Sequence, residues 1–279
     1  MRDFAYVLTL ASGFVGTAQG DPAVAESVRT GAAEATCCAV LELRQYTLHP
    51  GQRDVLIELF EREFIEGQEA QPMRVVCLFR DLDRSDRFVW VRGFADMPTR
   101  AQALAGFYGG PVWQAHRAAA NATMIDSDNV LLLRPLRADS GFLDASLPPG
   151  DAAPRSRGVV EARLLYAASE MSLAHVEAAV EALDAALRSV GGTRLAVLVS
   201  EQAANNFPRL PVREGEHVLV WFAALADEAD LARLHQALAE SPAWRRAEAA
   251  LTAGAPRAPE VLRLAPTTRS RLPAATTVY

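Results

Sequence analysis

Two spaced pairs of opposite charge are the residues most able to do chemistry in this chain: Glu42 with Arg44, and Glu161 with Arg163. Each sits in an alternating run of strand character, VLELRQYTL and VVEARLLY. Residues two apart on a strand share a face, so Glu, Arg and Tyr46 point together in the first run. The aromatic run Phe88 to Phe94 adds Phe88, Trp90 and Arg92 on one face, and Trp221 holds the matching place in a later run. A face carrying carboxylate, guanidinium and indole could bind an acidic or aromatic small molecule. A plainer reading, preferred here, is that each Glu and Arg satisfy one another, because a buried charge must be paired.

Trp113 and His116 follow on a helical stretch, and His116 could carry a proton or ligate haem. Its counterpart in the later copy is Ala247, so such a role would be confined to one half. The candidate interior residues are therefore Glu42, Arg44, Tyr46, Trp90, Arg92, Trp113, His116, Glu161, Arg163 and Trp221. No catalytic residue is assigned. The run Asp126-Ser-Asp-Asn129 has part of a calcium-loop spacing but reads better as a turn. No Walker loop, Gly-rich dinucleotide loop, Ser/His/Asp pattern or zinc spacing occurs, so neither metal nor cofactor is expected.

The elements that must position these residues recur. Strand patterns cover Val40 to Leu48, Arg74 to Arg80, Phe88 to Phe94 and Asn129 to Leu136; helical ones cover Gln52 to Ile65 and the stretch after Asp96, which Gly109-Gly110-Pro111 interrupts before Val112 to Asn121. The order is that of a split βαβ unit, βαββαβ. It restarts with Val159 to Tyr166 and ends with Val261 to Leu264. Trp90 and Trp221, Asp96 and Asp227, Trp113 and Trp244, and Pro135 and Pro266 are each 131 positions apart (221 minus 90), whereas Glu42 and Glu161 are 119 apart (161 minus 42). The difference places a 12-residue insertion in the second hairpin, at Ala203 to Glu216. Pro208 and Pro211 forbid a regular ladder there, and Phe207 would be costly to leave in water, so the loop is expected to cover a groove or a partner.

The predicted organisation is an extension at 1–38, a first repeat at 39–136, a Pro/Gly-rich linker at 137–157, a second repeat at 158–266 and a tail at 267–279. The extension could pass for an atypical export signal, but Asp3 cancels Arg2 and the positive leader is missing. Alternation separates an aliphatic face (Leu41, Leu43, Val89, Val91) from the Glu/Arg/Trp face; in the fold that the family resemblance below implies, the first would meet helices and the second the opposite sheet.

The runs LELRQYTLHPG (Leu41 to Gly51), FVWVRGF (Phe88 to Phe94) and FYGGPVW (Phe107 to Trp113) resemble the NIPSNAP family. The likeness is close over Val40 to Leu136 and looser over Val159 to Pro266. It implies an α+β fold of the dimeric α/β-barrel superfamily: two tandem ferredoxin-like repeats whose four-stranded antiparallel sheets pack face to face, with helices outside. Relatives in that superfamily include cofactor-free monooxygenases and haem-binding or haem-degrading proteins, while eukaryotic NIPSNAP proteins are mostly described as mitochondrial interaction proteins. Haem-degrading relatives carry an Asn on the first strand, where this chain has Glu42 and Arg44. The resemblance carries a fold and no agreed catalytic motif. The leading expectation is a NIPSNAP-like binding or interaction protein, with a protein partner, self-association or a small ligand; the alternative is a cofactor-free monooxygenase-like enzyme or an aromatic or haem-like binder.

Composition bounds the rest. The 279 residues carry a net charge of −6, which disfavours nucleic acid. All 28 basic residues are arginine, a pattern of GC-rich, bacterial genomes that removes Schiff-base lysine chemistry. Three cysteines without disulfide spacing suit the cytoplasm. No apolar run is long enough for a transmembrane helix.

Overall fold

The computed structural model describes residues 36–146, 148–149 and 158–272. The chain begins β1 (Val40–Leu48), α1 (Arg53–Leu59), a π-helical turn (Phe60–Phe64), α2 (Ile65–Glu69), β2 (Arg74–Asp81), β3 (Arg87–Phe94), α3 (Met97–Gly109), α4 (Pro111–Asn121), β4 (Met124–Asp126) and β5 (Val130–Pro135). It continues with β6 (Val159–Ala167), α5 (Leu173–Ser189), β7 (Thr193–Ser200), β8 (His217–Leu225), α6 (Glu228–Glu240), α7 (Pro242–Thr252) and β9 (Glu260–Pro266). Local chemistry sets the boundaries. Asp96 and Asp227 accept from the backbone N–H of Thr99 (2.7 Å) and Asp230 (2.9 Å) to start α3 and α6. Pro98, Pro111 and Pro242 occupy first turns, where a missing N–H costs nothing.

Strand order in the first half is β2-β3-β1-β5, and in the second β7-β8-β6-β9, with every pairing antiparallel. Both hairpins carry a bulge, at Val76 and at Leu195, separated by the same interval as Glu42 and Glu161. The halves are not two separate sheets. β2 pairs with β9 and β5 with β7, so eight of the nine strands among the described residues close into one ring and β4 extends the end of β1.

The ring is filled by aliphatic side chains from both halves, Leu41, Leu43, Val89 and Val91 meeting Val160, Ala162, Leu164, Val220 and Phe222. This reverses the predicted faces: Glu42, Arg44, Tyr46, Trp90 and Arg92 lie under the helices of the first half, and Glu161, Arg163 and Trp221 under those of the second. Alternation tells which residues share a face, and is silent on which side that face is turned. The side is decided by partners. A facing strand of Val and Leu offers nothing to a charged group, whereas the helices bring Gln68 and Tyr108 to Arg92 and Arg100 to Glu42.

Three predicted boundaries shift. Thr36 bridges Leu143, Cys37 N–H donates to Phe142 O, and Cys38 is buried against the barrel, so residues 36–38 of the expected extension belong to the core; residues 1–35 lie outside the described residues. A Cβ on Gly93 would stand 2.3 Å from Cys38 Sγ, which accounts for glycine at that point of β3. The described part of the expected linker is anchored by Phe142, whose ring meets Phe222 edge-on at 5.1 Å.

The expected tail is docked as far as residue 272. Thr267 N–H donates to Leu78 O and Arg271 N–H to Val76 O, while the Arg269 and Arg271 side chains are buried beside Glu66 and Glu69. Ending the chain at Pro266 should therefore lower stability by roughly 2–4 kcal/mol, the net worth of a few backbone and charge-assisted bonds. A urea melt unchanged by the truncation would show that the docking contributes nothing.

Candidate functional site

The first half assembles its site around Glu42. The β1–β3 register sets Glu42 opposite Arg92 and Arg44 opposite Trp90. Glu42 Oε2 accepts from Arg44 Nη1 and Arg92 Nε, both at 2.7 Å, and Oε1 accepts from Arg100 Nε at 2.7 Å. All four side chains are at most 1% exposed. Among the described residues Glu42 is the one carboxylate within ion-pair distance of these three guanidiniums. One negative charge thus answers three positive ones.

Neutral groups complete the shell. Arg44 Nε donates to the Tyr46 hydroxyl at 2.9 Å, and Arg92 Nη1 donates to Gln68 Oε1 at 3.1 Å and the Tyr108 hydroxyl at 3.3 Å. Trp90 lies beneath two of the cations, with Arg92 Cζ at 5.2 Å and Arg44 Cζ at 5.6 Å from its ring. Arg92 Nη2 and Arg100 Nη2 lie 2.7 and 2.6 Å from the carboxylate, yet neither is aligned to donate to it, and buried Trp90 Nε1 has no hydrogen-bond partner among the described residues. The π turn sets both Phe60 and Phe64 on this side, with Phe60 4.7 Å from Trp90.

Burial alone would push the Glu42 carboxyl up, but Arg92, Arg44 and Arg100 together hold it well below the usual carboxylate range. Burial pulls Arg100 down from its usual value despite Glu42, and the neighbouring guanidiniums add to the effect. Burial pushes the Tyr46 hydroxyl up, so it stays neutral. The linkage sign follows. A carboxyl whose folded pKa is depressed contributes stability that is fully present above its unfolded value, about 4.3, and is lost as pH falls toward the folded one. Unfolding free energy should therefore decline below about pH 4 in the wild type, and Glu42→Gln should show a shallower acid limb. Parallel acid limbs in urea melts of the two proteins would contradict this.

The second half keeps the pair and drops the rest. Glu161 Oε1 accepts from Arg163 Nε at 2.9 Å, and His235 Nε2 lies 2.5 Å from Oε2. Burial opposes ionisation there as well, yet His235 and Arg163 hold the Glu161 carboxyl below its ordinary value. Trp221 Nε1 donates to Asp184 at 3.0 Å. Ala223, Leu231 and Ala239 stand where the first half has Arg92, Arg100 and Tyr108.

The structure therefore brings together Glu42, Arg44, Tyr46, Trp90 and Arg92, with Trp113 joining through Tyr108 at 4.9 Å. His116 stands at the rim, one-third exposed, 3.4 Å from Glu63 and outside the charged cluster. Glu161, Arg163 and Trp221 belong to the other half. Sequence reading missed Gln68, Arg100, Tyr108 and His235. Arg100 had left a signal, since it interrupts the stripe that Ala103, Leu104 and Phe107 continue on α3. Asp126 Oδ1 accepts from the Asp128 N–H at 2.8 Å, an Asx turn. No group of three or more metal-ligating side chains occurs among the described residues.

Beside Trp90, Tyr46, Tyr108 and Trp113 the free space is about 30 Å³, room for one water. Wider surface hollows, of about 640, 500 and 320 Å³, are lined by none of the predicted candidates. The insertion from the second half closes the first half's site: Asn205 and Asn206 Oδ1 accept from Arg100 Nη1 at 3.1 and 2.7 Å, and Phe207 and Leu210 pack on the same aromatic core.

Residues 41–138 match the NIPSNAP family model. No curated protein matches the chain. Among solved structures, an anthrone oxidase-like protein shares the fold over 83% of this chain and 92% of its own, at 12% identity and a TM-score of 0.50. A NIPSNAP-like domain protein from Burkholderia xenovorans aligns with 40% of this chain and 97% of its own, at 24% identity and a TM-score of 0.35. Protein Atu4242 from Agrobacterium tumefaciens aligns with 35% of this chain and 94% of its own, at 21% identity and a TM-score of 0.33.

Proposed function

Starting from a chain that carries a NIPSNAP domain over residues 41–138, in an α+β fold of the dimeric α/β-barrel type, we propose a binding or interaction protein built as a tandem repeat. In this reading the two repeats face each other across one barrel. The repeated strand order and the matching bulges at Val76 and Leu195 support the duplication.

The state of Glu42 carries the preference for binding over catalysis. A general base needs a pKa near the working pH. Three guanidiniums hold Glu42 ionised far below that, and the guanidiniums themselves do not release protons. What the cluster does well is fix geometry, through charge-assisted bonds on a rigid strand. A cytoplasmic setting belongs to this reading, supported by three free cysteines. No helix among the described residues is long and apolar enough to cross a membrane.

Native mass spectrometry of the protein purified from its own host tests the proposal. The expected spectrum shows the chain with a non-covalently retained partner, a second copy or a small ligand. Oxygen uptake with turnover of an aromatic substrate, in the absence of any cofactor, would overturn it in favour of a cofactor-free monooxygenase.

A further inference from the structure

We infer that the first half binds a small aromatic carboxylate at Arg100 and Tyr108, and that Asn205-Asn206-Phe207 of the insertion occupies that site in the structure as a built-in stand-in. The inference deepens the binding reading above and rests on it. Its starting point is charge. Arg44, Arg92 and Arg100 are buried with one carboxylate among them, so the site lacks counter-charge and favours an anion.

The stand-in has the shape of the missing ligand. Arg100 spends Nε on Glu42 and turns Nη1 outward, where two amide oxygens, Asn205 Oδ1 and Asn206 Oδ1, converge on it. Two oxygens on a guanidinium are what a carboxylate would supply, but the amides bring no charge. The next residue supplies a ring. Phe207 lies 6.2 Å from Tyr108, tilted by 30°, and the Tyr108 hydroxyl in turn accepts from Arg92. The free space behind these rings, about 30 Å³, is too small for a ligand, so an aromatic ring must take the place of Phe207.

The occupant is detachable. Asn206 is exposed, and its Nδ2 donates to Met97 O at 2.6 Å. Between Glu201 and Arg213, whose N–H groups donate to Leu132 O and Val130 O of β5, the loop lies outside every strand ladder, and Pro208 and Pro211 keep it so. That middle segment can lift while its two ends stay on the barrel. The second half offers no equivalent site, since Ala223, Leu231 and Ala239 replace Arg92, Arg100 and Tyr108.

Calorimetric titration of the full chain with benzoate, with benzamide as its uncharged analogue and with inorganic phosphate, tests the inference. Clearing the site with N206A/F207A should tighten benzoate binding by about tenfold and leave benzamide unimproved, and R100Q should abolish the gain. Asn206→Asp supplies the charge internally, at the loss of the Nδ2 bond to Met97 O, so it should abolish benzoate binding, an outcome readable even if R100Q fails to fold. Benzoate bound no better by N206A/F207A than by wild type, equal binding of benzamide, or binding of phosphate in place of benzoate would each overturn the assignment. If benzoate fails while a partner is retained from the host, this inference alone falls. If benzoate binds and oxygen is consumed, the site stands and the non-catalytic reading falls.

Discussion

Replacing Glu42 with alanine is expected to be the most damaging single polar substitution in the first half. Removing one partner of a buried pair typically costs about 3–5 kcal/mol, because the other charge is left uncompensated. Here three guanidiniums lose their one carboxylate, so that range is a floor. At about 2–4 °C per kcal/mol for a chain of this size, the melting temperature should drop by roughly 10 °C or more. A simple pair could be rescued by replacing both partners with apolar residues. The double change Glu42→Leu with Arg44→Met should not recover the loss, because Arg92 and Arg100 stay buried and charged. A Glu42→Ala protein that melts within a degree of wild type would mean that solvent or a bound anion reaches the guanidiniums, and that their burial is incomplete in solution.

The reason the cluster has three arginines also shows where sequence reading stops. Arg44 and Arg92 were legible because they share a strand face with Glu42, and period-two alternation is a local rule. Arg100 sits on α3, 58 positions from Glu42, and its meeting with the carboxylate depends on how that helix crosses the sheet. Gln68 and Tyr108 are reached in the same way. Most elements were readable, down to the helix after Asp96 and its break at Gly110, because caps and prolines act through neighbouring backbone groups, whereas the short strand β4 was not. Their burial was less so. Val55 lies one turn before Leu59 and is apolar like it, yet it is 49% exposed while Leu59 and Ile57 are buried. The insertion was legible as an interruption of the repeat, and Phe207 as a residue needing cover; the surface it covers, at Arg100, was not. The inverted faces share that origin. Parity along a strand is local, and the side on which a face lies is a property of the closed ring.

The two tryptophans at matched positions should respond differently to substitution, and alanine at Trp90 is the second large effect expected. Both side chains are essentially fully buried, so Trp→Ala should cost about 3–5 kcal/mol at either position for lost volume alone. Trp90 has an additional role, because Arg92 and Arg44 stand over its ring; removing a desolvated cation–π face adds about 1–2 kcal/mol. Trp221 has no guanidinium over it among the described residues, but its Nε1 donates to Asp184. Phenylalanine separates the two terms. At position 90 it keeps an aromatic face for the cations and removes an N–H that has no partner among the described residues, so the loss should be the smaller. At position 221 it breaks a hydrogen bond to a carboxylate, worth about 1.5–3 kcal/mol. Alanine therefore carries an added loss of similar size at both positions, the cation face at 90 and the hydrogen bond at 221, whereas phenylalanine separates them: Trp221→Phe should be worse than Trp90→Phe. Urea melts of the four variants decide it, and a Trp90→Phe protein at least as destabilised as Trp221→Phe would show that the ring volume, and not the charges above it, sets the role of Trp90.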